Sequence, residues 1–356
     1  PVKYMNYYHS SNKMEWGIKQ ILDFCFGYKN RVMYNVYKKE FQGQKFDLVL
    51  SSSYMTFPMP VASKIAKELR IPLVVDLRDI IEQYPGFEFI KNKNAKFLNK
   101  FLTKIINYKR VSVRNKILKI ADSITTVSPW HIEILKKYNS NVNLIYNGFD
   151  PEMFYPESIQ TSKFIITYTG RLHSTEMQNP ELLFEAIKTL SNQQKLSPDN
   201  CVIKWYVDAS SQKIVMEEAA KFGVSNFMEY HEYVKASAIP AILNNSSIIL
   251  VLTNKASDKG PKGIMTTKFF EALAVEKPIL CVKSDESSLE QIIKESGSGL
   301  AARNANEVID FLKQNFEKWK EEKVTSVQIK KEFISQYSRK EQTKQFVEVF
   351  ENIIKN

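Results

Sequence analysis

The sequence contains only three cysteines in 356 residues, and none of them forms a Cys-x-x-Cys pair. Each lies in an apolar stretch, so we expect Cys25, Cys201 and Cys281 to be reduced core residues of a cytoplasmic protein. The four histidines have no spacing typical of metal ligands, and we predict no metal site. No signal peptide is visible, and no apolar run reaches the ~20 residues that a membrane-spanning helix needs. These absences argue against a disulfide scaffold, a zinc-binding module and a membrane-spanning helix within this sequence.

Glycine-rich nucleotide motifs are also missing. The sequence has neither Gly-x-Gly-x-x-Gly nor Gly-x4-Gly-Lys-Ser/Thr, which disfavours a nicotinamide cofactor and a P-loop nucleotide. Eleven glycines and thirteen prolines are too few for a collagen-like or linker-like chain. A content of 44% hydrophobic and 25% charged residues is typical of globular proteins. At roughly 150 residues per domain, the length predicts two domains.

The positive charge is concentrated in the first part of the chain. Residues 1–150 carry 24 Lys or Arg against 12 Asp or Glu, a net charge of +12, whereas residues 151–356 carry 26 against 27. The two net charges, +12 and −1, sum to the +11 of the whole chain. Within the basic part, residues 91–119 contain ten Lys or Arg and no acid.

Residues 91–119 also have apolar side chains at helical spacing, among them Phe97 and Phe101. Lys96, Lys100 and Lys104 form a separate row on the same predicted helix. Such a helix can lie on an anionic membrane surface, which here would be the inner face of the plasma membrane. The alternative is an ordinary amphipathic helix with solvated lysines. Nucleic acid is not predicted as a partner, because no nucleic-acid-binding motif is present.

Short apolar runs alternate with helical segments along the whole chain, which predicts an α/β fold with parallel sheets. The pattern predicts two Rossmann-like, doubly wound domains, at residues 1–150 and 151–335, that face each other across a cleft. It also predicts a C-terminal helical segment at residues 336–356, which can cross back to the first domain. Ligands of such domains bind at the carboxyl ends of the strands. The predicted strands are residues 46–50, 72–76, 123–127, 142–146, 163–169, 202–207, 247–252 and 278–282, and the predicted helices are 60–69, 129–138, 180–190, 267–275 and 332–354.

Two groups of residues in the second predicted domain are suited to binding a phosphate. Gly170 and Arg171 directly follow a predicted strand, so the arginine can present its guanidinium to an anion. Thr266 and Thr267 lie at the predicted start of a helix, whose N-terminus favours anions. Lys268 in the first turn would oppose the helix dipole unless an anion is bound there. The alternatives are a surface arginine beside a turn glycine and a solvated loop.

Three further charged residues are candidates for binding the rest of a substrate. Glu271 lies one turn into the same predicted helix among apolar neighbours, where it can accept hydrogen bonds from vicinal hydroxyls such as those of a ribose. Arg78 and Asp79 follow the predicted strand 72–76 and can contact an acceptor hydroxyl or a donor phosphate. The alternatives are a Glu–Lys pair for Glu271 and a local ion pair for Arg78 and Asp79.

Taken in order, these segments resemble the retaining GT-B glycosyltransferases of the family-4 type. Residues 125–156 resemble that family's interdomain signature, with Asn147, Gly148, Asp150, Phe154 and Pro156 at the matching positions. Residues 167–171 (TYTGR) resemble the strand and phosphate-binding arginine that open its C-terminal domain. Residues 263–280 resemble its donor-site helix.

The resemblance implies that the chain transfers a sugar, with retention and without a metal or cofactor, from a nucleoside diphosphate sugar to a hydroxyl of a saccharide or lipid-linked saccharide in cell-surface polysaccharide biosynthesis. Arg171 matches the arginine that contacts the diphosphate, and Glu271 matches the glutamate that contacts the ribose. Gly170, Thr266, Thr267 and Lys268 would complete the phosphate site. Lys268 would stabilise the leaving group together with Arg171. Arg78 and Asp79 would orient the acceptor.

The sequence departs from the family pattern at several positions. Gly263 stands where the family has a glutamate that contacts the donor sugar, Gln178 stands where it often has a lysine, and Arg78 stands where it often has a histidine. Nothing before Phe46 resembles the family's first strand, Gly-rich turn and helix, so we expect that unit to precede residue 1. These departures leave two alternatives open: a catalytically inactive nucleotide-sugar-binding or membrane-associated partner protein, and a sugar-nucleotide epimerase of the same architecture.

Overall fold

The computed structural model describes residues 12–53, 56–83, 96–175, 178–253 and 263–355. The chain divides into two compact units, one formed by Pro1–Ile145 together with Gln345–Asn356 and the other by Tyr146–Lys344. We refer to them as the first and the second unit.

The first unit is built on a four-stranded parallel sheet with the strand order β1-β2-β3-β4. Strand β2 is buried at all five positions, as expected for a parallel strand covered on both faces. The core packs Met59, Leu77, Leu118 and Ile124 between this sheet and its helices. The elements are α1 (Lys13–Phe26), α2 (Tyr28–Phe41), β1 (Val49–Ser53), α3 (Met59–Leu69), β2 (Leu73–Leu77), α4 (Lys96–Leu118), β3 (Ser123–Thr126), α5 (Pro129–Leu135) and β4 (Val142–Leu144).

The second unit is built on a six-stranded parallel sheet. Its elements are β5 (Phe164–Thr169), α6 (Glu181–Asn192), β6 (Cys201–Tyr206), α7 (Ala209–Phe222), β7 (Met228–His231), α8 (Ile239–Asn244), β8 (Ile248–Leu252), α9 (Thr267–Ala274), β9 (Ile279–Val282), α10 (Ser288–Ser296), β10 (Gly299–Ala302), α11 (Ala305–Glu322) and α12 (Lys331–Ser335). A last helix, α13 (Arg339–Ile354), begins in the second unit and ends in the first.

The strand order β10-β9-β8-β5-β6-β7 runs outward in both directions from the neighbouring strands β5 and β8. This is the doubly wound order, and its switch point lies between β5 and β8. Ile248 and Leu250 face one apolar cluster, whereas Ile249 and Val251 face another, because alternate residues of a strand point to opposite faces. The sheet is therefore covered on both sides, and ligands are expected at the carboxyl ends of β5 and β8.

The predicted α/β architecture with parallel sheets is confirmed, although several elements were missed or displaced. Strand β1 begins three residues later than predicted, and the predicted helix 332–354 is divided into α12 and α13. Strands β7 and β10 were not predicted, because their four-residue runs (MEYH and GLAA) are too short and too mixed to show a pattern. Helices α1, α2, α7, α8, α10 and α11 have no counterpart among the predicted helices either. The expectation that Cys25 is a core residue is wrong: it is exposed, whereas Cys201 and Cys281 are buried.

Candidate functional site

The carboxyl end of β5 and the start of α9 form a compact cluster in the second unit. Gly170 follows β5 with a φ of 142°, a backbone conformation that side-chain-bearing residues rarely adopt. Its backbone N–H donates to the Tyr206 carbonyl at 3.0 Å, which ties the turn to the neighbouring strand β6. The strand end is therefore held in place by the sheet itself.

Lys268 of α9 lies directly against this turn. A Cβ atom added at Gly170 would lie 1.8 Å from the Lys268 Nζ, so the missing side chain of Gly170 provides the space for the ammonium group. The same Nζ lies 5.7 Å from the centre of the Tyr168 ring. Burial lowers the pKa of Lys268, and the nearby Glu271 carboxylate acts in the opposite direction. Among the residues that the structure describes, no carboxylate forms an ion pair with this ammonium group, and a partly buried cation without a partner favours binding of an anion.

Arg171 is the next residue after Gly170, and its side chain is 59% exposed. Its Nε lies 2.8 Å from the Oδ2 of Asp208, which caps the N-terminus of α7. Hydrogen bonds from Ser210 and Ser211, together with the Arg171 charge, hold the pKa of Asp208 well below its usual range. The Tyr168 hydroxyl donates to the Arg171 carbonyl at 3.1 Å. Tyr168 therefore contacts the backbone of Arg171 through its hydroxyl group, and its ring lies near the Lys268 ammonium.

The N-terminus of α9 completes the cluster. Thr266 is the N-cap residue, and its side chain makes no capping hydrogen bond. Thr267 and Lys268 form the first turn, where free N–H groups and the helix dipole attract anions. Glu271 follows one turn later; burial raises its pKa, whereas the charges of Arg339 and Lys268 lower it. The preceding loop, residues 254–262, lies outside the described residues.

Replacing Gly170 by Ala should remove Lys268 from its observed place. The added methyl group would occupy the position of the ammonium, and a φ of 142° is unfavourable for alanine. We expect the affinity for a diphosphate ligand to fall by ~10-fold or more, since a charge-assisted contact contributes about 1.5–3 kcal/mol. Isothermal titration calorimetry with a nucleoside diphosphate measures this loss. Gly223→Ala, at a glycine with a positive φ and open space around it, is the matched control and should bind normally.

In the first unit, Arg78 is engaged in local contacts. Its Nε donates to Asp76 Oδ2 at 3.0 Å, and its Nη1 donates to the Ile145 carbonyl at 3.3 Å. Its guanidinium carbon lies 5.3 Å from the centre of the Phe346 ring. Asp76 also accepts hydrogen bonds from Ser52 and Thr125. These contacts agree with the local ion pair that the sequence left open as the alternative, with Asp76 as the partner of Arg78.

Asp79 belongs to a chain of hydrogen-bonded polar groups that includes the buried Gln83 and His131. Its carboxylate accepts a hydrogen bond from the Gln83 side-chain amide. The side-chain oxygen of Gln83, Oε1, lies 2.8 Å from His131 Nε2. The Thr126 hydroxyl oxygen lies 2.8 Å from His131 Nδ1. His131 is fully buried, and this burial together with the nearby Arg114 charge lowers its pKa to about 4, against the opposing effect of Glu82. His173, two residues after Arg171 in the second unit, is exposed, and its backbone N–H donates to the Gln178 side chain at 2.9 Å.

The helix predicted within residues 91–119 is present as α4. Lys104 is exposed, and next to it Ile105 and Tyr108 are 42% and 78% exposed. The side chains of Lys96, Phe97, Lys100 and Phe101 lie outside the described residues. Arg114, one of the basic residues of this segment, is fully buried and forms two hydrogen bonds with Glu82, at 2.6 and 2.7 Å.

Within the described ranges, no helix has the length and apolarity needed to cross a membrane. In the same ranges, no three His, Cys, Asp or Glu side chains are grouped so that they could hold a metal ion.

Comparison with known proteins places this geometry in context. The family described as "Glycosyl transferases group 1" matches residues 150–350. Similar solved structures include sucrose-phosphate synthase from Thermosynechococcus elongatus, at 12% identity and a TM-score of 0.60, covering 97% of this chain and 80% of that chain. Anabaena HepE in complex with UDP and glucose has 13% identity and a TM-score of 0.64, covering 94% and 89%. A glycosyltransferase from Rickettsia africae has 15% identity and a TM-score of 0.58, covering 99% and 84%. A search of curated proteins gave no match.

Proposed function

Because this chain belongs to the glycosyl transferases group 1 family and has the GT-B fold, we propose that it transfers a sugar from a nucleoside diphosphate sugar to a hydroxyl group of a saccharide or lipid-linked saccharide, with retention, in cell-surface polysaccharide biosynthesis. The fold is shared with HepE, whose structures are described in complex with UDP, with UDP and glucose, and with UDP-glucose. These complexes support a UDP-sugar as the first donor to test.

The observation that carries this proposal is the Lys268 ammonium, which lies against Gly170 without a counter-ion among the described residues. When the bond between sugar C1 and the diphosphate oxygen breaks, the leaving diphosphate gains negative charge. Lys268, Arg171 and the N–H groups at the start of α9 would stabilise that charge electrostatically. We expect no metal requirement, because these side chains supply positive charge at the leaving group.

Glu271 would bind the ribose of the donor. It lies on the same helix as Lys268, one turn further on, and its carboxylate oxygens can accept hydrogen bonds from two vicinal hydroxyls. In the first unit, Asp79 would orient the acceptor hydroxyl, because it lies two residues after β2 and its carboxylate can accept a hydrogen bond from a hydroxyl group. Arg78 would act mainly by holding the end of β2, since its guanidinium contacts Asp76, Ile145 and Phe346.

The basic helix α4 would place the protein on an anionic membrane surface on the cytoplasmic side. The exposed Lys104 can contact lipid phosphates, while the exposed Ile105 and Tyr108 can enter the headgroup region. The +12 net charge of residues 1–150 favours the same surface. A lipid-linked acceptor would then be reached without leaving the membrane.

One observation favours a second candidate, a donor-binding protein without transferase activity. Gly263 has a φ of 62°, and a Cβ atom placed there would lie 2.7 Å from the Ser288 hydroxyl oxygen. The position at which related enzymes carry a sugar-contacting glutamate therefore has no room for a side chain in this conformation. Donor binding without transfer would follow if no other group contacts the sugar.

A thermal-shift screen followed by a transfer assay tests both candidates. We expect UDP, GDP or ADP, or one of their sugar conjugates, to stabilise the protein by about 2.7 kcal/mol at 100 times its Kd. Donor consumption that depends on an added acceptor supports the transferase. Binding without consumption supports the inactive binder, and conversion of the donor sugar without acceptor supports an epimerase. A protein that none of the nucleotides stabilises would contradict all three.

A further inference from the structure

The first unit contains a second potential ligand site, a cavity of about 520 Å³. Three parts of the unit form it: the junction of α1 and α2, the segment Thr56–Pro60 that leads from β1 into α3, and the middle of α4. Its volume lies within the range of ~300–1,000 Å³ that is usual for small-molecule sites. Because the cavity follows the carboxyl end of β1, it lies at the end of a parallel sheet where ligands bind in doubly wound domains.

The charges that line this cavity are mainly positive. Among the described residues that line it, Lys29, Lys109 and Arg110 are cations and Asp23 is a carboxylate. Lys29 Nζ lies 3.6 Å from Asp23 Oδ2, so one cation is paired with this carboxylate. Lys109 donates a hydrogen bond to the Phe24 backbone carbonyl at the end of α1, a neutral partner. The Lys109 ammonium, which also lies 4.2 Å from the centre of the Phe24 ring, therefore favours an anionic ligand.

The remaining lining residues suit a hydroxylated ring. The side-chain oxygen of Asn30 is buried and has no hydrogen-bond partner, although a buried acceptor usually has one. Phe24 and Phe57 supply aromatic surface. A saccharide has hydroxyl groups that can donate to Asn30 and apolar C–H faces that can pack on the rings. Positive charge, an unused acceptor and two aromatic rings together match one class of ligand.

We propose that this cavity binds an anionic saccharide, such as a sugar phosphate or a uronic acid. Lys109 binds the anionic group, and Asn30 accepts a hydrogen bond from a sugar hydroxyl. This binding is independent of the proposed donor site, which lies in the second unit. The saccharide can be part of the acceptor substrate or a separate regulatory ligand, since both sources share this chemistry.

Cys25 provides a direct test, because it lines the cavity and is exposed. The two other cysteines are fully buried, and burial raises the pKa of the Cys201 thiol to about 12. N-ethylmaleimide should therefore label Cys25 before the other two cysteines. Mass spectrometry checks this, because the first label should appear on the wild type and be absent from Cys25→Ser. At ten times its Kd, glucose 6-phosphate or glucuronate should slow the labelling about tenfold, since roughly a tenth of the protein remains unbound. Glucose and inorganic phosphate should protect less at the same concentration.

Lys109→Met should abolish most of the protection, whereas Lys116→Met, at an exposed position of the same helix outside the cavity, should keep it. The proposal would be overturned if neither anionic saccharide slowed the labelling of the folded wild type, or if both variants were protected equally.

In a transfer assay, an acceptor site predicts a raised KM for the acceptor in Lys109→Met. A regulatory site predicts that the probe changes the transfer rate without being glycosylated. Donor stabilisation by nucleotides reports on the second unit, so failure here is distinguishable from failure of the proposed function.

Discussion

Replacing Lys268 by Met is expected to lower the turnover of the donor sugar by about 100- to 1,000-fold, the cost of removing one preorganised group that stabilises a developing negative charge. Methionine keeps most of the side-chain volume and removes the charge. The Lys268 ammonium lies against Gly170 and near the Tyr168 ring, where its burial strengthens its interaction with an anion. Steady-state kinetics with saturating donor and acceptor measures the change in kcat.

The matched control is Lys313→Met, which removes an exposed lysine from α11 of the same unit. Its kcat should stay within about twofold of the wild type, since exposed surface charges away from a site contribute little. Wild-type turnover in a folded Lys268→Met variant would remove this lysine from the mechanism. A variant with normal kcat and a raised donor KM would mean that Lys268 binds the donor equally well in the ground state and in the transition state.

Acidification is expected to destabilise the first unit through His131. Its pKa is about 4 in the folded protein, below the ordinary value of 6.5 that it has in the unfolded chain. Between pH 4 and pH 6.5 the unfolded chain therefore binds more protons than the folded one. The contribution of His131 to the free energy of unfolding is therefore complete above pH 6.5 and is lost as the pH falls to 4. At 1.36 kcal/mol per pKa unit, the loss is about 3 kcal/mol. Urea unfolding at a series of pH values measures it.

His131→Gln should weaken this pH dependence, because glutamine cannot take up the proton. The variant is expected to be less stable than the wild type at pH 7, where it disturbs the hydrogen bonds with Gln83 and Thr126, and the difference should shrink towards pH 4. His173→Gln, at an exposed histidine of the second unit, is the control and should leave the slope as in the wild type. An unchanged slope in His131→Gln would mean that other groups cause the acid destabilisation.

Much of the fold could be predicted because parallel strands buried on both faces appear as apolar runs. Strands β2 and β8 are buried at every position, and both were identified from their sequence. Strands β7 and β10 could not be found in the same way, because they are four residues long and their pattern is mixed. Backbone hydrogen bonding to the neighbouring strand, and not local composition, decides that such short runs form strands.

The candidate site was predictable only in part. The position of Arg171 after β5 and of Lys268 at a helix start follows from local sequence, since both depend on where an element begins or ends. The pairing of Arg171 with Asp208 does not, because the two residues are 37 positions apart and meet only when β5 and β6 lie side by side. The connection from Asp79 through Gln83 to His131 likewise joins residues from two parts of the chain.

The sequence by itself determined the α/β class, the basic first part of the chain and the residue types available at the strand ends, because these depend on periodicity, composition and nearest neighbours. Only the tertiary structure decided that the Lys268 ammonium occupies the space left by the absent side chain of Gly170, that Arg114 and His131 are fully buried, and that Cys25 is exposed. Burial and long-range contacts set the energy of a charge, and both arise from packing between elements that are distant in sequence.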